Sequence, residues 1–230
     1  MKRTKKILVT LLCAVLLVTG TVAVTVAYLT DSASVQNTFT FGQVGISLDE
    51  AKVNTDGTVI EGEDAGRDVG NKYHLIPGHE YTKDPTIHVD DDSEDCWLFV
   101  KLNNGLKDII SGKTTYSEAD AENSIYTIET QMSKNGWTCI DTINNVWAYK
   151  EIVSANEDVP VFGMFKLTDS ADVAEYATAE DAEGNVTGGT TIDVTAYAVQ
   201  ADGFNVDEKS AVQNATAAWE AAFGATTSAE

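Results

Sequence analysis

Apolar residues recur at alternate positions through most of this chain, without the regular strand–helix alternation of a parallel α/β fold. Thr86–Val89 puts Ile87 and Val89 on one side, and Ile192–Val199 does the same with Ile192, Val194, Ala196 and Ala198. Trp97–Leu102 is apolar on both faces, the pattern of a central strand. Val146–Tyr149 and Val159–Leu167 are further strands, the second with Val161, Phe165 and Leu167 on one face. Phe39 and Phe41 share a face, but Val44, Ile46 and Leu48 fall on the other parity. A bulge or bend is therefore expected at Gly42. Strands without intervening helices argue against a parallel α/β fold. They predict an all-β chain, an antiparallel jelly-roll-like β-sandwich, with Trp97, Phe99, Val100 and Leu102 at its centre and Val161, Phe165, Val194 and Ala196 in the same core. Asn54–Asn71 and Glu175–Gly189 are the expected long loop insertions, the first a mobile one. Val206–Phe223 reads instead as a C-terminal helix. Asp207 is its expected cap, Gly224 its stop and Trp219 its anchor on the sandwich.

The N-terminus has the form of an export signal. Lys2, Arg3, Lys5 and Lys6 precede an uncharged run from Ile7 to about Val18, at roughly a dozen residues short for a membrane span. Thr25-Val26-Ala27 then supplies small residues where a signal peptidase reads them. The expected cut lies between Ala27 and Tyr28, with Ala23 as a second site. The alternative is an uncleaved anchor, because the uncharged stretch continues to Leu29. Residues 1–27 are thus a signal peptide and 28–230 a single domain. The net charge is −21, and loss of the four basic leader residues makes it more negative still. Such a field repels nucleic acid and anionic membranes, and makes self-association sensitive to salt and divalent ions. Contact with a membrane is expected only through the uncleaved signal.

Several segments resemble one known family. Ala27-Tyr28-Leu29-Thr30-Asp31 and Asn37–Glu50 are similar to the start of SipW-dependent secreted proteins, the TasA/camelysin group of Gram-positive bacteria. Leu75-Ile76-Pro77-Gly78-His79-Glu80-Tyr81-Thr82-Lys83-Asp84-Pro85, Ser93–Leu102 and Thr195–Phe204 continue the resemblance. It implies export through a SipW-type signal peptidase to the extracellular matrix or cell surface, and a role as a biofilm-matrix fibre subunit. Partners would be further copies of the chain or a related matrix protein. In such fibres the N-terminal segment of one subunit completes the sheet of the next. Here that segment would be residues 28–41, with Val35, Thr38, Phe39 and Phe41 as its assembly residues. Camelysin-like relatives have also been classed as metallopeptidases, which leaves an enzyme as the second reading. A monomeric glycan- or cell-surface-binding module is the third.

Little in the chain carries chemistry. There is no His-Glu-x-x-His helix, Gly-x-Ser-x-Gly elbow or phosphate-binding Gly loop, so no catalytic residue is assigned. His74, His79 and His88 cluster around a turn expected at Pro77-Gly78. His79-Glu80 could help hold a metal, but the spacings favour histidines at the surface or rim. Asp90, Asp91, Asp92, Glu94 and Asp95 form the densest acidic run, lying between two strands. It is either a candidate calcium site or a solvated turn. No resident cofactor is expected beyond that cation. Cys96 and Cys139 could form one disulfide in an exported chain, or each could be a small buried hydrophobe.

Overall fold

The structure is a computed structural model that describes residues 43–117, 124–176, 178–180, 186–188 and 190–224. These all lie in one compact unit, Gly42–Glu230. The strands are β1 (Ile46–Ala51), β2 (Arg67–Asp68), β3 (Glu80–Thr82), β4 (Thr86–Val89), β5 (Cys96–Asn104), β6 (Ile110–Ser111), β7 (Trp137–Asp141), β8 (Val146–Tyr149), β9 (Asp158–Pro160), β10 (Met164–Leu167), β11 (Thr178–Glu180), β12 (Val186–Gly188) and β13 (Ile192–Gln200). Helix α1 spans Ile128–Lys134 and helix α2 spans Ala211–Phe223. The strand pairs are antiparallel throughout, as the alternation of apolar residues predicts.

One sheet has the order β13-β5-β8-β7, and β5 is its most buried strand. Cys96, Leu98, Val100 and Leu102 point one way from β5. They meet Ile87 and Val89 of β4, Tyr81 of β3, and Phe165 and Leu167 of β10 in one core. Those strands belong to two further sheets, β2-β1-β4-β9 and β3-β10-β6, which cover this face. Trp97 and Phe99 point the other way, into a second core with Val146, Ala148, Ala215, Ala218 and Trp219. That face is covered by α2. A strand apolar on both sides is thus buried on both sides, and Trp97, Phe99, Val100 and Leu102 are at most 2% exposed. β11 and β12 form a separate two-stranded pair within the predicted Glu175–Gly189 insertion.

Several boundaries differ from those expected. Val159–Leu167 is two strands in two sheets. β9 pairs with β4 and β10 with β3, because the chain changes sheets at Val161-Phe162-Gly163 while keeping Val161 and Phe162 buried. The C-terminal helix starts at Ala211. Ser210, not Asp207, caps it: the Ser210 hydroxyl accepts from Gln213 N–H, and the Gln213 side chain accepts from Ser210 N–H. Gly224, at φ +101°, ends it as predicted. Asn54–Asn71 is fastened, with Lys52 N–H donating to Gly66 O, Ile60 N–H to Lys52 O, and β2 pairing with β1. Val194 and Ala196 are only half-buried because β13 lies at a sheet edge. The Gly42 bend lies outside the described residues.

The turn at Pro77-Gly78 forms as read. His79 N–H donates to Ile76 O, and Gly78 has φ +72°, the sign a type II turn requires at its third position.

Phe99 is fully buried, with its ring centroid 5.2 Å from that of Trp219. Phe99→Ala should therefore cost about 3–5 kcal/mol. Ser210→Ala should cost about 1 kcal/mol, through the lost cap alone. Denaturant titration of the two variants checks both magnitudes.

Candidate functional site

β13 is the longest strand that ends a sheet. Among the described residues it pairs on one side only, with β5, over its full length from Ile192↔Asn104 to Gln200↔Cys96. An unpaired edge presents backbone N–H and C=O groups that can accept another strand. The side chains tell the same story. Leu98, Val100 and Leu102 on β5 are fully covered, whereas their register partners Ala198, Ala196 and Val194 are half-exposed. One apolar row of the sheet thus runs from the core to a half-covered edge, where Val194, Ala196 and Ala198 pack against the core on one side only, and two of the three are small alanines.

The predicted donor residues Val35, Thr38, Phe39 and Phe41 lie outside the described residues, as do the cleavage residues Ala27 and Tyr28. Among the described residues, no helix is long and apolar enough to cross a membrane.

Asp90, Asp91, Asp92, Glu94 and Asp95 are all exposed, in the connection between β4 and β5. Backbone bonds hold that connection. Asp90 N–H donates to Gly45 O, Glu94 N–H to Gln43 O, and Ala201 N–H to Asp95 O. Glu94 and Asp95 line an open depression with Asp202. Among the described residues, however, no three His, Cys, Asp or Glu side chains come together as a metal-holding group. The run is a turn fastened by its backbone, with its carboxylates exposed to solvent.

The histidines separate too. His79 Nε2 lies 2.7 Å from Asp56 O, and its ring packs edge-on against Tyr81. His74 is exposed. His88 lies on β4 between two carboxylates, Asp49 and Asp158. Sequence reading passed over both partners, although Ser47 and Asp49 on β1 and Thr86 and His88 on β4 alternate with core residues and so mark one solvent face.

The Leu75–Pro85 segment is structural. Tyr81 Oη donates to His74 O and accepts from Ile76 N–H. Lys83 Nζ lies 2.6 Å from Glu50 Oε2, and the Asp84 carboxylate accepts from Ala51 N–H. Glu50 is 3% exposed, so Lys83 supplies the counter-charge its burial needs.

Cys96 and Cys139 are free thiols, which corrects the disulfide expectation. Register explains it. Cys139 on β7 pairs with Trp147, which pairs with Val100, placing the thiols two strands and four residues apart in one sheet. No bridge spans that separation. Burial pushes the Cys96 thiol up to about 11, helped by the Asp95 and Glu157 charges, and burial also raises Cys139.

A cavity of about 440 Å³ between Thr114 and Ser133 is lined by Tyr116, Glu129, Trp147 and threonine hydroxyls. It makes a poor sugar platform. Trp147 is 7% exposed, Thr127 and Thr130 bond each other, and Ser133 bonds back to Glu129 O.

Comparison with known protein families, curated proteins and solved structures finds no match for this chain.

Alkylation of the non-reduced protein in denaturant should label both Cys96 and Cys139. Without denaturant Cys96 should react far more slowly than a free thiol, because it is buried and protonated. Unlabelled cysteines recovered only after reduction would restore the disulfide.

Proposed function

We propose that this chain is an exported structural subunit of the TasA/camelysin type, which assembles when residues 28–41 of one copy add a strand to the free edge of β13 in the next. The half-exposed row of Val194, Ala196 and Ala198, beside a backbone edge that pairs with no other strand among the described residues, carries this reading. In an extended strand Val35, Phe39 and Phe41 share one face. Laid beside β13, they would set two aromatic rings against a row with two alanines, where large and small side chains interdigitate. The β-sandwich is then the receiving jelly roll, and export by a SipW-type signal peptidase frees the donor at Tyr28. The cell surface or extracellular matrix is the expected location.

A metallopeptidase finds little support. The described histidines are each engaged elsewhere or isolated, and the sequence has no zinc-binding helix motif. The glycan-binding reading is weakened by the engaged hydroxyls and buried Trp147 of the Thr114–Ser133 cavity.

Electron microscopy of residues 28–230, with and without calcium, tests the assembly. The mature chain should form fibres. Deleting residues 28–38 should leave a soluble monomer with unchanged circular dichroism and no fibres. Phe39→Asp or Phe41→Asp should do the same, because an unpaired charge would have to pack against that apolar row. A peptide of residues 28–41 in excess should halt growth by occupying the edge. Normal fibres from the truncated chain would refute donor-strand addition, and an unfolded truncated chain would place the segment in its own subunit.

A further inference from the structure

We propose that His88 is a pH-operated staple, which as an imidazolium ties the short edge strand β9 to β1 across β4 and on losing a proton lets go of one of them. Its place in the sheet makes the case. The order β2-β1-β4-β9 has one charged side chain from each strand on its solvent face: Arg67, Asp49, His88 and Asp158. Neighbours in that series touch. Arg67 Nε pairs with Asp49 Oδ1, His88 Nε2 lies 2.9 Å from the same oxygen, and His88 Nδ1 lies 2.6 Å from Asp158 Oδ1. Arg67 Nη1 also reaches Asp84 Oδ2 at 3.1 Å, just ahead of β4.

The valence of the imidazole ring decides the protonation state. A neutral imidazole has one N–H and one lone pair. With a carboxylate oxygen at each nitrogen, the neutral ring would satisfy one contact and turn a lone pair on the other. Only the doubly protonated ring donates to both. The groups that face His88 are Asp49 from β1, Asp158 from β9 and, one step further, Arg67 from β2; Ser47 is its register partner on β1. Two carboxylates outweigh one guanidinium already shared with Asp84, so the surroundings favour the cation. The hydrogen bond to Asp49 raises the His88 pKa most, with Asp158 adding to it against partial burial.

The direction of the pH effect follows. A proton held more tightly in the folded state stabilises it fully below the free-imidazole value of about 6.5. That contribution disappears as pH rises through the folded-state value of His88. Asp158 is mostly exposed and Asp49 is not, so the link to β9 is the weaker one and opens first. Among the described residues β4 is the one strand that pairs with the three-residue β9; beyond it Trp137 Nε1–H donates to Pro160 O, so the His88 contact works on the Asp158 end of β9.

Nitrogen-15 NMR of the whole protein tests this, since the chain has only three histidines to assign. His88 should show both nitrogens protonated at neutral pH, with a midpoint above that of the same residue in the urea-unfolded chain. Asp49→Asn and Asp158→Asn should each lower the midpoint, the first by more. Relative to intrinsic exchange at each pH, protection of Val159 and of the flanking Asn156 and Val161 amides, which donate to Val89 O and Pro85 O, should fall once His88 has titrated, and in His88→Gln that fall should vanish. If His88→Gln does not fold, the exposed Asp158→Asn variant answers through the same midpoint. A neutral His88 tautomer at pH 7, a midpoint at or below the unfolded one, or β9 exchange that ignores the titration would overturn the proposal.

Discussion

Burial of β5 on both faces is the constraint on which the rest of the architecture depends. A strand with Leu98, Val100 and Leu102 on one side and Trp97 and Phe99 on the other cannot leave either side to water. One side recruits β3, β4 and β10. The other has no third sheet to cover it, and α2 fills that role with Ala215, Ala218 and Trp219. The small alanines let the helix approach closely, and Trp219 fills the gap between Phe99 and Tyr197. The terminal helix is therefore a third layer that completes a core, which is why its apolar stripe is rich in Ala and carries a single large anchor.

A second system of constraints is polar and concerns β1. Where the sandwich thins at Glu50 and Ala51, the packing of apolar side chains gives way to specific bonds. Lys83 neutralises Glu50, the Asn71 backbone N–H and side-chain amide donate to Glu50, and Asp84 receives Ala51 N–H. Three distant stretches of chain thus meet at two residues. Such a network is costly to leave half-made, because a lone buried carboxylate keeps its full desolvation penalty. This is a physical reason for the Leu75–Pro85 motif without any catalytic role: its turn places Lys83 and Asp84 where the end of β1 needs them.

What could be read from the sequence was what local periodicity determines. The bounds of β4 and β8, the central position of β5, the turn at Pro77-Gly78 and the existence of a terminal helix all follow from residues close in the chain. The errors arose where tertiary partners decide. Val159–Leu167 keeps one apolar parity throughout, yet Gly163 lets it change sheets, and alternation carries no information about which sheet is joined. Helix α1 was missed because seven residues give too few turns for periodicity to show. Its usable signal was Thr127, whose hydroxyl caps Thr130 N–H. Whether the two thiols can meet is set by strand order, which places Cys96 and Cys139 two strands apart and which spacing along the chain does not encode. The charged series across β2, β1, β4 and β9 joins residues up to 109 positions apart, from Asp49 to Asp158, and no window along the chain contains it.

Charge places a condition on any assembly of this chain. Copies of residues 28–230, with 11 basic and 36 acidic residues and so a charge of −25, repel one another at distances up to roughly a Debye length, about 8 Å at physiological salt. Only contacts shorter than that can oppose the repulsion. The strand addition proposed at β13 would be of that kind, with backbone hydrogen bonds along the strand edge and apolar side chains set against Val194, Ala196 and Ala198. The β13 edge is also favourably composed. Its solvent-side positions Asp193 and Thr195 carry one acid between them, while the dense Asp90–Asp95 run sits beyond the far end of the strand, near Gln200 and Ala201. The acidic run therefore lies away from the middle of β13, where the half-buried row of Val194, Ala196 and Ala198 lies. Repulsion from the rest of the surface then acts against sideways clumping more than against edge pairing, and added salt would relax the first restraint while leaving the backbone bonds of the second intact.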